Sequence, residues 1–126
     1  RRLGISIQET KEEAEWQAAR KIADLIKSRN KTGQKTVIGF ATGGTYEGIY
    51  AKLIEITKEE GISWENVITF NLDEYVWGAH GYLEEYVERY YDRESYRSFM
   101  FDNLFGWLIE NAGLKRENRS FCKAWL

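Results

Sequence analysis

Two short stretches carry residues whose types and spacing could do chemistry. The first is Thr42-Gly43-Gly44-Thr45, which follows an apolar run and precedes an amphipathic stretch. Glycines let a backbone come close to a ligand, and free N–H groups at a helix N-terminus favour an anion such as phosphate. Thr42 and Thr45 add hydroxyl donors. The pattern is neither the three-glycine dinucleotide fingerprint nor a P-loop, because no lysine follows the glycines. A plain tight turn between strand and helix would use the same residues. The second stretch is Phe70-Asn71-Leu72-Asp73-Glu74-Tyr75, with two adjacent carboxylates just past another apolar run. Ligands of parallel sheets bind beyond the carboxyl ends of the strands. A partly desolvated Asp73 held there could take a proton from a C–H beside a carbonyl. Asp73 could instead cap a following helix. Its place one βα unit after the glycine turn favours the chemical reading.

Other reactive types are few. His80, the single histidine, falls between Gly78 and Gly81 and reads as a surface loop residue. Tyr82, Tyr86, Tyr90 and Tyr91 could stack on a sugar, but aromatic residues at helical spacing are commonly core or interface. Cys122 reads as a small apolar residue. One histidine and one cysteine argue against a zinc site, so no metal is expected.

The elements that must position these residues follow from periodicity. Arg2 to Ile7 suits a short first strand. Thr10-Lys11-Glu12-Glu13 reads as a capping box, and Trp16, Ala19, Ala23 and Ile26 then recur at helical spacing. Lys27 to Gln34 is polar, contains Gly33, and reads as a loop. Thr36 to Phe40 is a near-continuous apolar run, the mark of a parallel strand buried on both faces. Ile49, Leu53 and Ile56 give a second helix that ends near Gly61. Val67 to Asn71 is the next strand, and Ser95 to Leu108 suits a third helix. Gly113 to Leu126 shows no clear period. Alternating strands and helices argue an α/β fold with a mainly parallel sheet and right-handed crossovers.

Composition bounds the rest. The 126 residues suit one domain spanning 1–126, and 43% hydrophobic with 15% aromatic content supports a packed core. Eighteen basic and twenty acidic residues are dispersed, giving a formal net charge of -2 with no basic block, so no nucleic-acid partner is expected. No apolar run approaches about 18 residues, so no membrane partner is expected either. The polar opening after Arg1-Arg2 lacks a signal pattern, and a lone cysteine suits a reducing compartment. A cytoplasmic location is the expectation. The chain has no proline, where average usage of about 5% predicts roughly six.

Taken together, Ile38-Gly39-Phe40-Ala41-Thr42-Gly43-Gly44-Thr45 and Val67-Ile68-Thr69-Phe70-Asn71-Leu72-Asp73-Glu74-Tyr75-Val76 resemble the glucosamine-6-phosphate deaminase family. Glu94 to Met100 and Asp102 to Phe105 extend the resemblance, which runs from about Arg2 to Asn118. The related phosphogluconolactonases share the glycine turn but differ after the acidic strand.

The resemblance implies a Rossmann-like three-layer domain, incomplete relative to the family and matching its N-terminal half. It implies that Thr42, Gly43, Gly44 and Thr45 hold the phosphate of a small-molecule sugar phosphate. It also implies that Asp73 takes the C2 proton in an aldose–ketose isomerisation that releases ammonia, without a cofactor. The family's ring-opening histidine, its acidic partners and further basic phosphate ligands come from the later half, and His80 is not assigned that role. Tyr46 stands where the family has proline, and Trp77 to Tyr90 is longer than the matching loop. Arg119 to Leu126 does not resemble the family's next strand. Other readings stay open: a non-catalytic sugar-phosphate-binding module, a scaffold without activity, or a lactonase-like hydrolase. A half-sheet leaves an exposed edge, so a homo-oligomer is expected.

Overall fold

The computed structural model describes residues 3–73 and 96–120. Helix α1 spans Lys11–Lys31. Thr10 adopts an extended conformation before it, and its Oγ1 accepts from the Glu13 N–H at 3.2 Å. Glu12 and Glu13 in the first turn, with Arg29 and Lys31 in the last, complement the helix dipole. Helix α1 therefore runs through most of the segment expected as a loop. The polar residues from Lys27 onward lie on a helix whose inner face ends with buried Ile26, and the Thr32 and Gly33 N–H groups close it on Arg29 and Asn30.

Strand β1 spans Thr36–Phe40, helix α2 spans Gly44–Glu60 and strand β2 spans Val67–Asn71. Tyr50, Leu53, Ile56 and Thr57 form the buried stripe of α2. Gly61 stops it in the left-handed conformation at φ 61°, where its N–H donates to Thr57 O. The strands pair in parallel, Thr36 opposite Val67 through Phe40 opposite Asn71. This is the βαβ unit read from the sequence.

Three stretches depart from expectation. Leu3, Ile5 and Ile7 form no strand and are exposed. Their alternation is strand-like, but within the described residues the sheet order is β1-β2-β3 and no strand pairs with them. The third strand is Arg119–Ser120, here β3, in parallel with β2 through Thr69–Arg119 and Phe70–Ser120. Its two residues are too short to leave a period. Finally, β1 and β2 are buried on one face only: Val37 is 60% exposed and Phe70 47%.

The helical region after residue 95 has three parts. Helix α3 spans Tyr96–Met100, a π-helical turn spans Phe101–Phe105 and helix α4 spans Gly106–Asn111. The Gly106 N–H donates to Phe101 O across the wide turn. A Cβ at Gly106 would lie 2.8 Å from that same carbonyl oxygen, so the turn needs glycine there.

The core joins Ala19, Ala23 and Ile26 of α1 to Tyr50, Leu53 and Ile56 of α2. Phe40, Ile62, Trp64, Val67, Met100, Leu104, Phe105, Leu108 and Leu114 complete it. Trp64 Nε1 donates to Thr57 Oγ1 at 3.1 Å, so its polar atom is satisfied inside the core. On the outer surface Glu60 of α2 pairs with both Arg20 and Lys27 of α1, the latter at 2.6 Å. Among the described residues, no helix is long and apolar enough to cross a membrane, and no cluster of three His, Cys, Asp or Glu could hold a metal.

Candidate functional site at the carboxyl rim of the sheet

The site is built by two strand ends held in register. Phe40 ends β1 and Asn71 ends β2, and the two are paired. The Leu72 N–H extends the ladder, donating to Phe40 O at 3.0 Å. Thr42 and Asp73 each lie two residues beyond these paired ends. Neighbouring strands run about 4.8 Å apart, so the glycine turn and Asp73 open on one rim.

The turn has the backbone shape an anion site needs. Gly43 precedes α2 at φ 123°, a conformation that L side chains rarely adopt. No side chain caps this end of α2. Open space surrounds both glycines: a Cβ at Gly43 or Gly44 would meet nothing within 4 Å. Gly44 and Thr45 are exposed, while Thr42 and Gly43 are half-buried. The helix dipole adds partial positive charge at this point. The turn can therefore receive an anion on backbone N–H groups, with the Thr42 and Thr45 hydroxyls beside it.

Two residues that the motif reading did not single out shape this rim. Tyr50 is buried, and its hydroxyl donates to the carbonyl oxygen of Ala41, the residue before Thr42. Burial holds the Tyr50 hydroxyl neutral, well above the usual phenol range, with the nearby Tyr46 adding to the effect. Tyr50 also meets Phe40 edge-on at 5.5 Å and stacks with Tyr46 at 6.3 Å. It thus ties the first turns of α2 to the end of β1. The signal was present as Tyr50 at helical spacing with Leu53, but its hydroxyl bond is a tertiary fact. Asn71 is the second residue, 6% exposed at the very end of β2.

Asp73 is exposed rather than partly desolvated. Beside the sheet, Arg119 of β3 lies over the Phe105 ring at 5.9 Å. Burial, then the nearby Arg97 and Arg116 charges, lower its affinity for its proton. Glu74, His80, Tyr82, Tyr86, Tyr90, Tyr91 and Cys122 lie outside the described residues, as does the long segment from Trp77 to Tyr90.

A parallel βαβ unit with a glycine turn and a carboxylate on one rim places the chain among Rossmann-like α/β proteins. Comparison with known proteins narrows the class. The chain is 39% identical over 100 residues to a glucosamine-6-phosphate deaminase of Thermoanaerobacter sp. strain X514, covering 79% of this chain and 34% of that protein. It is 39% identical over 102 residues to a glucosamine-6-phosphate isomerase of Candida albicans, covering 80% and 36%. It is 37% identical over 117 residues to a glucosamine-6-phosphate deaminase of Borrelia garinii, covering 92% and 38%. A solved monomeric glucosamine-6-phosphate deaminase of the NagB superfamily superposes with a TM-score of 0.74 at 30% identity, over 98% of this chain and 44% of that one. No family model matches.

The chain is homologous to the glucosamine-6-phosphate deaminases and isomerases over most of its own length. It spans only 34% to 38% of the length of those curated relatives. Their names fall on the deaminase side of the resemblance rather than the lactonase side.

Proposed function

We propose that the carboxyl rim binds a hexosamine 6-phosphate and presents its sugar carbons to Asp73 for the isomerisation–deamination that the relatives' names describe. The observation that carries this reading is the register of β1 and β2, Phe40 opposite Asn71, which sets the glycine turn beside Asp73. In this reading the phosphate sits on the backbone N–H groups of Gly43 to Thr45, with Thr42 and Thr45 donating. With the sugar ring open, the C2 proton is acidified by the C1 aldehyde. The Asp73 carboxylate accepts that proton, and the C–H electron pair forms a C1–C2 double bond while the C1=O π pair moves onto the aldehyde oxygen, which takes a proton from solvent. The proton on Asp73 then returns at C1 as the amine lone pair forms a C2=N bond, and water hydrolyses the resulting iminium, releasing ammonium and leaving fructose 6-phosphate. Asp73 is exposed, so a ligand on the rim can reach it. No cofactor takes part in this scheme.

The test is ammonia release from glucosamine 6-phosphate, with binding followed in parallel. Asp73→Asn is expected to lower turnover by at least about a hundredfold while leaving affinity within a few-fold. Turnover that survives the substitution removes Asp73 from the base role. Binding without turnover by the unaltered chain would assign it as a sugar-phosphate-binding module. The proposal includes a homo-oligomer in the cytoplasm; sedimentation across a concentration series decides the first part.

A further inference from the structure

Asn71 is the most anomalous polar residue in the described structure. Both its carboxamide atoms, Oδ1 and Nδ2, are buried and have no hydrogen-bond partner. Asn30, Thr36 and Thr69 also have one orphaned atom each, but Asn30 Nδ2 donates to Ser63 O at 2.8 Å. Asn71 alone among them has two orphaned polar atoms, an amide nitrogen and a carbonyl oxygen. Leaving such a group unpaired costs about 1–3 kcal/mol per atom, and native proteins rarely tolerate it without a reason.

Position supplies the reason. Thr36, Phe40, Val67, Thr69 and Asn71 are all buried on the helix-covered face of the sheet. Helix α2 packs on that face, and its N-terminus lies at the same carboxyl end as Asn71. Thr36 and Thr69 lie farther back, at the start of β1 and the middle of β2. Asn71 is the last residue of β2, paired with the residue that leads into the glycine turn and two residues before Asp73. An amide there adds N–H donors and a carbonyl acceptor at the strand end that leads to the same rim. A phosphate needs only donors. A sugar carbon bearing hydroxyl or amino groups needs both.

We propose that the Asn71 carboxamide is a substrate-recognition group, which turns toward the rim and takes a hydroxyl or amino group of the sugar while the phosphate sits on the glycine turn. The proposal rests on the sugar-phosphate reading above and adds to it the residue that distinguishes a sugar phosphate from phosphate alone. A polar group left facing a lost partner in a buried site costs more than the contact itself. Replacement of Asn71 by an apolar side chain of similar size therefore penalises the sugar and spares the anion.

The experiment titrates the full chain with glucosamine 6-phosphate and, separately, with inorganic phosphate, followed by NMR. Asn71→Leu is expected to weaken glucosamine 6-phosphate about tenfold or more while leaving inorganic phosphate unchanged. Asn71→Ser, a smaller change, is expected to do the same if the leucine variant does not fold. Equal glucosamine 6-phosphate affinity in folded variant and parent overturns the Asn71 assignment and leaves the sugar-phosphate reading standing. Equal weakening of both ligands overturns it too, since that marks a disturbed turn. A parent chain that binds neither ligand at millimolar concentration overturns the sugar-phosphate reading itself.

Discussion

The two faces of the sheet differ more in what covers them than in what they are made of. One face presents Thr36, Ile38, Phe40, Val67, Thr69 and Asn71, and the helices pack on it. The other presents Val37, Gly39, Ile68, Phe70 and Leu72, of which Val37 and Leu72 are 60% and 69% exposed. Within β1 and β2 the bare face has no polar side chain, while the covered face has three. Parallel sheets are normally covered on both faces, so the residues of β1 and β2 are chosen as if for two layers. Among the described residues only one layer is there. Composition tells what a face could tolerate, and only the packed helices tell what it meets.

The largest effect should come from the covered face. Phe105 is fully buried and meets Phe40 edge-on at 6.0 Å. Phe105→Ala is expected to cost about 3–5 kcal/mol in denaturant unfolding. A loss below about 1 kcal/mol would mean that this layer is not the stabilising one.

An intermediate effect should appear in acid, on the outer side of the same layer. Hydrogen bonds from Arg20 and then Lys27 hold the Glu60 carboxyl down from 4.5 to about 2. A carboxylate held below its unfolded value stabilises the fold fully above the unfolded value and loses that contribution as pH falls toward the folded one. The thermal midpoint should therefore fall between about pH 4.5 and pH 2, over the interval set by Glu60. Glu60→Gln should flatten that part of the profile, and added salt should shrink it. An unchanged profile in the variant would take the Arg20–Glu60–Lys27 contact out of the account.

The smallest effect belongs to the bare face. Val37→Thr should change stability by no more than about 0.5 kcal/mol, since Val37 is 60% exposed and threonine keeps its β-branched shape. A loss of about 2 kcal/mol or more would show that this face is covered in solution, and the contrast between the faces would disappear.

Much of this architecture was legible in the chain. Thr10 with Glu13 announced the start of α1, and Ala19, Ala23 and Ile26 its buried stripe. Gly61 announced the end of α2. These signals are local, set within a turn or two by capping and periodicity. The errors were of two kinds. Lys27 to Gln34 read as a loop because its polar residues lie where α1 faces solvent, and polarity does not separate an exposed helical turn from a coil. Leu3 to Ile7 read as a strand because it alternates, but a strand exists only with a partner, and the partner is a tertiary matter. Strand β3 was missed for the converse reason: two residues carry no period, and β2 supplied their structure.

The candidate site divides in the same way. Sequence by itself determined the glycine turn, because φ 123° at Gly43 is a backbone conformation that residue type governs. It also determined that a carboxylate follows the next strand, and the family to which the two motifs are related. Tertiary structure decided that the turn and Asp73 share a rim, through a parallel register between residues about thirty apart in the chain. It decided that Asp73 stands in solvent and that Tyr50 braces Ala41. It left the Asn71 amide buried without a partner. Each of these depends on which strand lies beside which and on which face the helices cover, and those relations are fixed by packing between distant segments rather than by any residue's own preference.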